Sequence, residues 1–190
     1  MQNNTETRRF ERIETQRLIF RRPHREDAEA IFTRYASDPE VTRFLGWPRH
    51  KNIDDSLAFI EMSDKDWCRF PAGPYLVESR KTGELLGSSG FAFETALRAS
   101  LGYVFACDAW GKGYATEAAL VMKEIGRMTG LIRLYALCHV ENLRSARVLE
   151  KSGFLLEGTL RKHYDFPNIG DGGPGDVCVY GMVFSGREVD

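Results

Sequence analysis

Residues 108–120 read "DAWGKGYATEAAL": two glycines flank a lysine, and an apolar, alanine-rich stretch follows at once. A glycine turn placed directly ahead of a helix serves one of two ends. Either it packs as a tight turn, or its backbone N–H groups join the free N–H groups of the helix start to hold an anion such as a phosphate. Two familiar anion motifs do not fit. A P-loop needs Gly-Lys followed by Ser or Thr, whereas Gly113 and Tyr114 follow Lys112. A dinucleotide fingerprint needs a third glycine where Thr116 stands, and an early βαβ unit, whereas this turn lies past the middle of the 190-residue chain.

The neighbouring sequence gives the turn its setting. Upstream, "PYLVES" (74–79), "LLGSSGFAFE" (85–94) and "ASLGYVFAC" (99–107) are three strands joined by short links, an expected antiparallel meander. Downstream, a helix from about Ala115 to Met128 is closed by Gly130. A buried-type strand "IRLYALCHV", a helix "NLRSARVLEKS" stopped by Gly153, and two closing strands, "FLLEGTLRKHY" and "DVCVYGMVF", come next, with the Gly/Pro-rich loop "DFPNIGDGGPG" between those strands. At the N-terminal side, Arg17-Leu18-Ile19-Phe20-Arg21 alternates as a strand and Pro23 ends it. Ala28, Ile31, Phe32 and Tyr35 recur at helical spacing. Ser37 or Asp38 with Pro39 starts a short helix that Gly46 is expected to end. A third helix over 54–70 carries Leu57, Ile60, Met62 and Trp67 as expected buried positions. The result is one mixed α/β (α+β) domain over residues 1–190, built on a mostly antiparallel sheet, with residues 1–7 expected to be disordered.

The bulk composition narrows the function classes. A formal net charge of −1 gives no general pull toward nucleic acid or an acidic membrane, and no apolar run is long enough to span a bilayer. The four cysteines, Cys68, Cys107, Cys138 and Cys178, are scattered, with no C-x-x-C pair. They read as buried thiols in a reducing compartment, with no metal site, so a soluble cytoplasmic protein is expected.

Two blocks, "LGYVFACDAWGKGYATEAAL" (101–120) and "HVENLRSARVLEKSGF" (139–154), resemble the GNAT acetyltransferase superfamily, and in particular its branch of ribosomal-protein alanine N-acetyltransferases. The resemblance runs from "TQRLIFRRPHREDAEAIFTRYASDPEVTRFLGW" to the closing "GDVCVYGMVF". It implies the GNAT fold, in which a strand splays from its neighbour at a bulge and acetyl-CoA, the acetyl donor, sits in the opened wedge. Residues 110–115 overlay the family pattern Q/R-x-x-G-x-G/A, with Gly113 and Ala115 matching and Trp110 in the leading place. The expected cofactor-binding residues are Phe105, Cys107, Trp110, Gly111, Lys112, Gly113, Tyr114, Ala115, Thr116, Asn142 and Ser145. Asn142 also suits a helix cap. No metal is implied.

The reaction that the resemblance implies is direct attack of a primary amine on the acetyl thioester in a ternary complex. The amine must be neutral, the oxyanion needs a donor (a backbone N–H near Phe105 to Cys107), and the leaving thiolate needs a proton. Ser100 stands where many relatives carry a basic glutamate, and Leu149 where many carry an acidic tyrosine. Ser145 and Glu94 are the remaining catalytic candidates, and Trp47 and Tyr164 the candidate walls of the acceptor cleft. Cys107 as an acyl carrier is the less simple alternative to a buried thiol. The acceptor is a small-molecule or peptide amine, such as a protein N-terminal α-amine. A non-catalytic acyl-CoA-binding module is the second reading. The chain is expected to act as a monomer or homodimer, without nucleic acid or membrane.

Overall fold

A computed structural model describes residues 10–184; the N-terminal stretch expected to be disordered lies outside them. Eight strands form one sheet in the order β1-β2-β3-β4-β5-β6-β8-β7. The strands are β1 (Arg12–Glu14), β2 (Leu18–Arg21), β3 (Tyr75–Ser79), β4 (Leu85–Thr95), β5 (Arg98–Phe105), β6 (Arg133–His139), β7 (Leu155–Asp165) and β8 (Pro174–Val183). Every neighbouring pair is antiparallel except β5 and β6. The exception has a local cause: the helix α4 (Tyr114–Met128) carries the chain back along the sheet between them, as a parallel pair requires.

Side-chain alternation sends each strand's apolar residues to two helical layers. On one face Ala99, Leu101 and Phe105 of β5 and Leu134, Ala136 and Cys138 of β6 pack with Ala118, Ala119, Met122 and Ile125 of α4 and Leu149 of α5 (Leu143–Lys151). On the other face Leu76 and Leu85 pack with Ile31, Tyr35, Val41 and Ile60. These come from α1 (Ala28–Ile31), the π-helical turn Phe32–Ala36 that continues it, α2 (Pro39–Thr42) and α3 (Ile53–Arg69). Burying such side chains at about 25 cal/mol per Å² of apolar surface is what holds both layers to the sheet.

The helix starts follow the sequence signals. The Asp38 carboxylate accepts from the backbone N–H groups of Glu40 and Val41, with Pro39 in the first turn of α2. Asn52 caps α3 through the N–H of Asp55. Three expectations fail for tertiary reasons. Of the four cysteines read as buried thiols only Cys138 is buried; Cys68 is exposed on α3, off its buried stripe, and Cys107 and Cys178 are partly buried. Met62 is half exposed, because the buried stripe of α3 runs through Ser56, Ile60, Ser63 and Trp67 and leaves Met62 beside it. Gly46 does not end α2, which stops at Thr42. Instead the ring of Tyr164 lies against Gly46, where a Cβ would collide with it.

Candidate active site

The centre of the molecule is a wedge between β5 and β6. The two strands pair only over Arg98, Ala99 and Ser100 against Arg133, Leu134 and Tyr135. Beyond that, β5 runs on to Phe105 and β6 to His139 without pairing to each other. The Ala106 N–H donates to the Leu86 carbonyl at 2.9 Å, on the β4 side. By the alternation of an antiparallel ladder, the N–H and C=O groups of Tyr103 and Phe105 therefore face the wedge. Backbone groups of this kind need partners, so the wedge fits an extended polar chain. The bulge expected near Phe105 is absent. The β4–β5 register is unbroken from Gly87↔Phe105 to Phe93↔Ala99 and shifts only between Phe93 and Thr95, at the other end. The splay comes from divergence of β5 and β6 themselves.

The glycine turn closes the wide end of the wedge. After Phe105 the chain makes a short turn over Cys107–Ala109. Gly111 (φ 73°) and Gly113 (φ 79°) then take left-handed conformations, and Gly113 is the N-cap of α4. An added Cβ would meet nothing within 4 Å at Gly111 and only Arg17 Nη2, at 3.5 Å, at Gly113. The glycines are thus required by backbone conformation rather than by crowding. Tyr114, Ala115 and Thr116 form the first turn of α4, whose N–H groups have no carbonyl one turn back. With the positive end of the helix dipole, these groups suit an anion.

Side chains brace both walls. The Trp110 indole N–H donates to the Phe105 carbonyl at 2.7 Å, and the Arg144 guanidinium of α5 lies 4.8 Å from the Trp110 ring centre. Asn142 caps α5, its Oδ1 accepting from the Ser145 N–H at 3.2 Å. The Ser145 hydroxyl is 2.8 Å from the Tyr103 phenol oxygen, and that phenol also donates to the Ser145 carbonyl at 3.1 Å. Burial pushes the Tyr103 phenol well above its ordinary range, so it is neutral.

The remaining candidates lie on the face that carries α1–α3. Glu94 sits at the closed end of the wedge, where the Tyr135 hydroxyl donates to its carboxylate and Arg98 pairs with it. That hydrogen bond, helped by Arg98, holds Glu94 below the ordinary carboxylate range. Burial, with Glu94 adding to it, lifts Tyr135 to about 12. The Cys107 thiol points to Asp38 Oδ2, 3.6 Å away. Burial first, then neighbouring carboxylates, push it up to about 11. Trp47 packs near His50, with ring centres 5.1 Å apart, and Tyr164 against Gly46 and Phe166. Asn168 fastens these two regions: its Nδ2 donates to the Thr42 and Trp47 carbonyls, and its Oδ1 accepts from the Arg49 N–H, all at 2.9 Å.

The structure thus brings Phe105, the glycine turn, Asn142 and Ser145 around one wedge, and Trp47 and Tyr164 around Gly46. Cys107 faces the helical layer and Glu94 the wedge's closed end. Sequence reasoning missed Tyr103, Arg144, Arg17 and Asn168, whose partners are distant in sequence. All four lay in segments already quoted, Arg17 in a strand, Tyr103 in "LGYVF", Arg144 in a helix and Asn168 in the Gly/Pro-rich loop, but nothing in those segments marked the side chain itself.

Comparison with known proteins places this arrangement. The family profile described as "Acetyltransferase (GNAT) domain" matches residues 17–155. The chain belongs to the GNAT acetyltransferase family. A relative of this acetyltransferase, the uncharacterized N-acetyltransferase YoaA of Bacillus subtilis (strain 168), is 34% identical over 177 residues, covering 92% of this chain and 97% of YoaA. A GNAT-family acetyltransferase of Bacillus anthracis superposes with a TM-score of 0.77 at 27% identity, covering 90% of this chain and 98% of that one. The ribosomal L7/L12 α-N-protein acetyltransferase RimL, solved with coenzyme A, superposes with a TM-score of 0.80 at 19% identity, covering 92% and 98%.

Proposed function

We propose that this GNAT protein transfers the acetyl group of acetyl-CoA to a primary amine, and that the amine is the α-amine of a peptide or protein N-terminus. The observation that carries the donor is the unpaired wedge between β5 and β6 ending on the left-handed glycine turn. The turn and the first N–H groups of α4 (Tyr114, Ala115, Thr116), with Lys112, hold the pyrophosphate. The wedge-facing groups of Tyr103 and the Asn142 side chain hold the pantetheine arm. Bound there, acetyl-CoA supplies an acyl group activated as a thioester.

The chain's own residues divide the rest of the work. The Phe105 N–H faces the wedge as an oxyanion donor, aimed in advance by the sheet. The Ser145 hydroxyl, held by Tyr103, stabilises the departing thiolate by hydrogen bonding, and the proton shed by the attacking amine neutralises that thiolate. Ser100 brings no carboxylate, and Glu94 is tied to Tyr135 and Arg98 at the closed end of the wedge, away from the thioester. The amine therefore has to arrive neutral. An α-amine, with an ordinary pKa of about 7.7–8.0, does so far more readily than a lysine at about 10.4. Placing it beside the thioester supplies much of the remaining rate. Trp47 and Tyr164 wall the acceptor's approach. The likeness to RimL, whose name describes α-N-protein acetylation, supports the same acceptor class.

The test is a calorimetric titration with acetyl-CoA beside a Gly113→Asp variant, followed by CoA release with peptides bearing either a free α-amine or only a lysine amine. Binding by the wild type, loss in the folded variant and turnover of the α-amine peptide support the proposal. Binding without turnover of any amine makes the chain an acyl-CoA-binding module, and turnover confined to lysine overturns the acceptor class.

A further inference from the structure

We infer that Arg17, just ahead of β2, aims the glycine turn at its anionic ligand, acting through the Lys112 carbonyl and Glu117 rather than by touching the ligand. This rests on the acetyl-CoA reading above. Arg17 Nη1 donates to the Lys112 carbonyl at 2.9 Å, and Lys112 is the residue between the two left-handed glycines. The peptide joining Lys112 to Gly113 is planar and trans, so its C=O and N–H point in opposite directions. Holding the carbonyl toward Arg17 turns the Gly113 N–H away from β2, outward from the turn. A flip of this peptide changes the φ of Gly113, which as glycine tolerates either sign, so the flip costs little on that side. A flipped peptide would present a carbonyl oxygen, not an N–H, to a phosphate. Arg17 selects the orientation that attracts an anion.

The second half of the device concerns charge. Glu117 lies in the first turn of α4, where an anion bound at the helix start would be repelled. Arg17 Nε donates to Glu117 Oε2 at 2.7 Å and Nη2 pairs with the same oxygen at 2.6 Å. The Thr15 hydroxyl donates to the other oxygen at 2.6 Å. Both carboxylate oxygens are thereby drawn toward the β2 side and neutralised. The guanidinium also lies 4.9 Å from the ring centre of Tyr114, the first residue of α4. One planar fork thus binds a turn carbonyl, a carboxylate and a ring at once. A lysine ammonium, lacking the rigid fork, does not reproduce that geometry.

Arg17→Ala and Arg17→Lys separate this positioning role from a direct charge contact. Calorimetry with coenzyme A reads the turn together with the wedge, and turnover of S-acetyl-pantetheine, which has no pyrophosphate, reads the wedge and the chemistry without the turn. Both variants are expected to bind coenzyme A about tenfold or more weakly, while kcat/KM with S-acetyl-pantetheine stays within about twofold of wild type. Glu117→Gln is expected to weaken coenzyme A binding too, because it loosens the fork. Three results overturn the inference: Arg17→Lys binding like wild type, Glu117→Gln binding more tightly than wild type, or S-acetyl-pantetheine turnover falling in step with coenzyme A affinity. Wild type failing to bind coenzyme A overturns the proposed function and this inference with it. Wild type binding with Arg17→Ala unchanged overturns the inference alone.

Discussion

The hydroxyl of Ser145 lies 2.8 Å from the phenol oxygen of Tyr103, joining the start of α5 to the strand that forms one wall of the wedge. Because the phenol also donates to the Ser145 carbonyl, the Ser145 side chain is fixed by a group that itself does not ionise at neutral pH. Ser145→Ala is therefore expected to lower kcat by on the order of 10²-fold with little change in the KM for acetyl-CoA. Tyr103→Phe is expected to cost about 1 kcal/mol of stability. Steady-state kinetics and thermal melts check the pair.

Asn168 is the clasp between the closing hairpin and the segment before α3. Its three hydrogen bonds to Thr42, Trp47 and Arg49 disappear together in Asn168→Ala. The expected loss is about 2–3 kcal/mol, at about 1 kcal/mol per bond. The KM for the acceptor should rise, whereas acetyl-CoA affinity, set by the wedge walls and the glycine turn, should not move. Chemical denaturation and separate titrations of the two substrates distinguish these effects.

His50 gives the fold a pH dependence of known sign. Its Nδ1 lies 2.8 Å from the Ser56 hydroxyl. Burial holds the imidazole below its ordinary 6.5, with Asp55 pulling weakly the other way. The unfolded chain thus takes up this proton at higher pH than the folded one. The contribution is complete above about pH 6.5 and is lost as pH falls through the folded value. Thermal melts from pH 7.5 to 5 should show wild type losing stability faster than His50→Gln.

The thiols are expected to be bystanders. Burial lifts Cys107 and Cys138 each to about 11, so at neutral pH both are protonated and poor nucleophiles. Incubation with acetyl-CoA alone should leave no acetyl on either cysteine by intact-mass measurement, and Cys107→Ala should retain turnover. A stable acetyl adduct on Cys107 would show a two-step transfer instead.

Much of this architecture was legible in the chain. Alternation in Arg17–Arg21, the caps at Asp38 and Asn142, and the glycines bounding α4 each encode their element locally, and the structure keeps them. What the sequence hid was set between distant segments. Gly46 looks like a helix stop until Tyr164 is seen against it. Met62 has helical spacing but lies off the stripe that the sheet selects. The length over which β5 and β6 stay paired leaves no mark in either strand. The glycine turn itself was readable because its glycines are demanded by backbone conformation. Arg17 and Asn168, which hold turn and cleft in place, act across long separations and gave no signal.

Trp110 adds an optical property to this chemistry. Its indole is anchored to the Phe105 carbonyl on the wedge side of β5 and lies beneath the Arg144 guanidinium of α5. Whatever enters between β5 and β6 changes the polarity around that ring and its contact with the cation. The protein therefore carries its own fluorophore at the mouth of the wedge. With Trp47 and Trp67 replaced by phenylalanine, emission from this single indole would report occupancy without any added label.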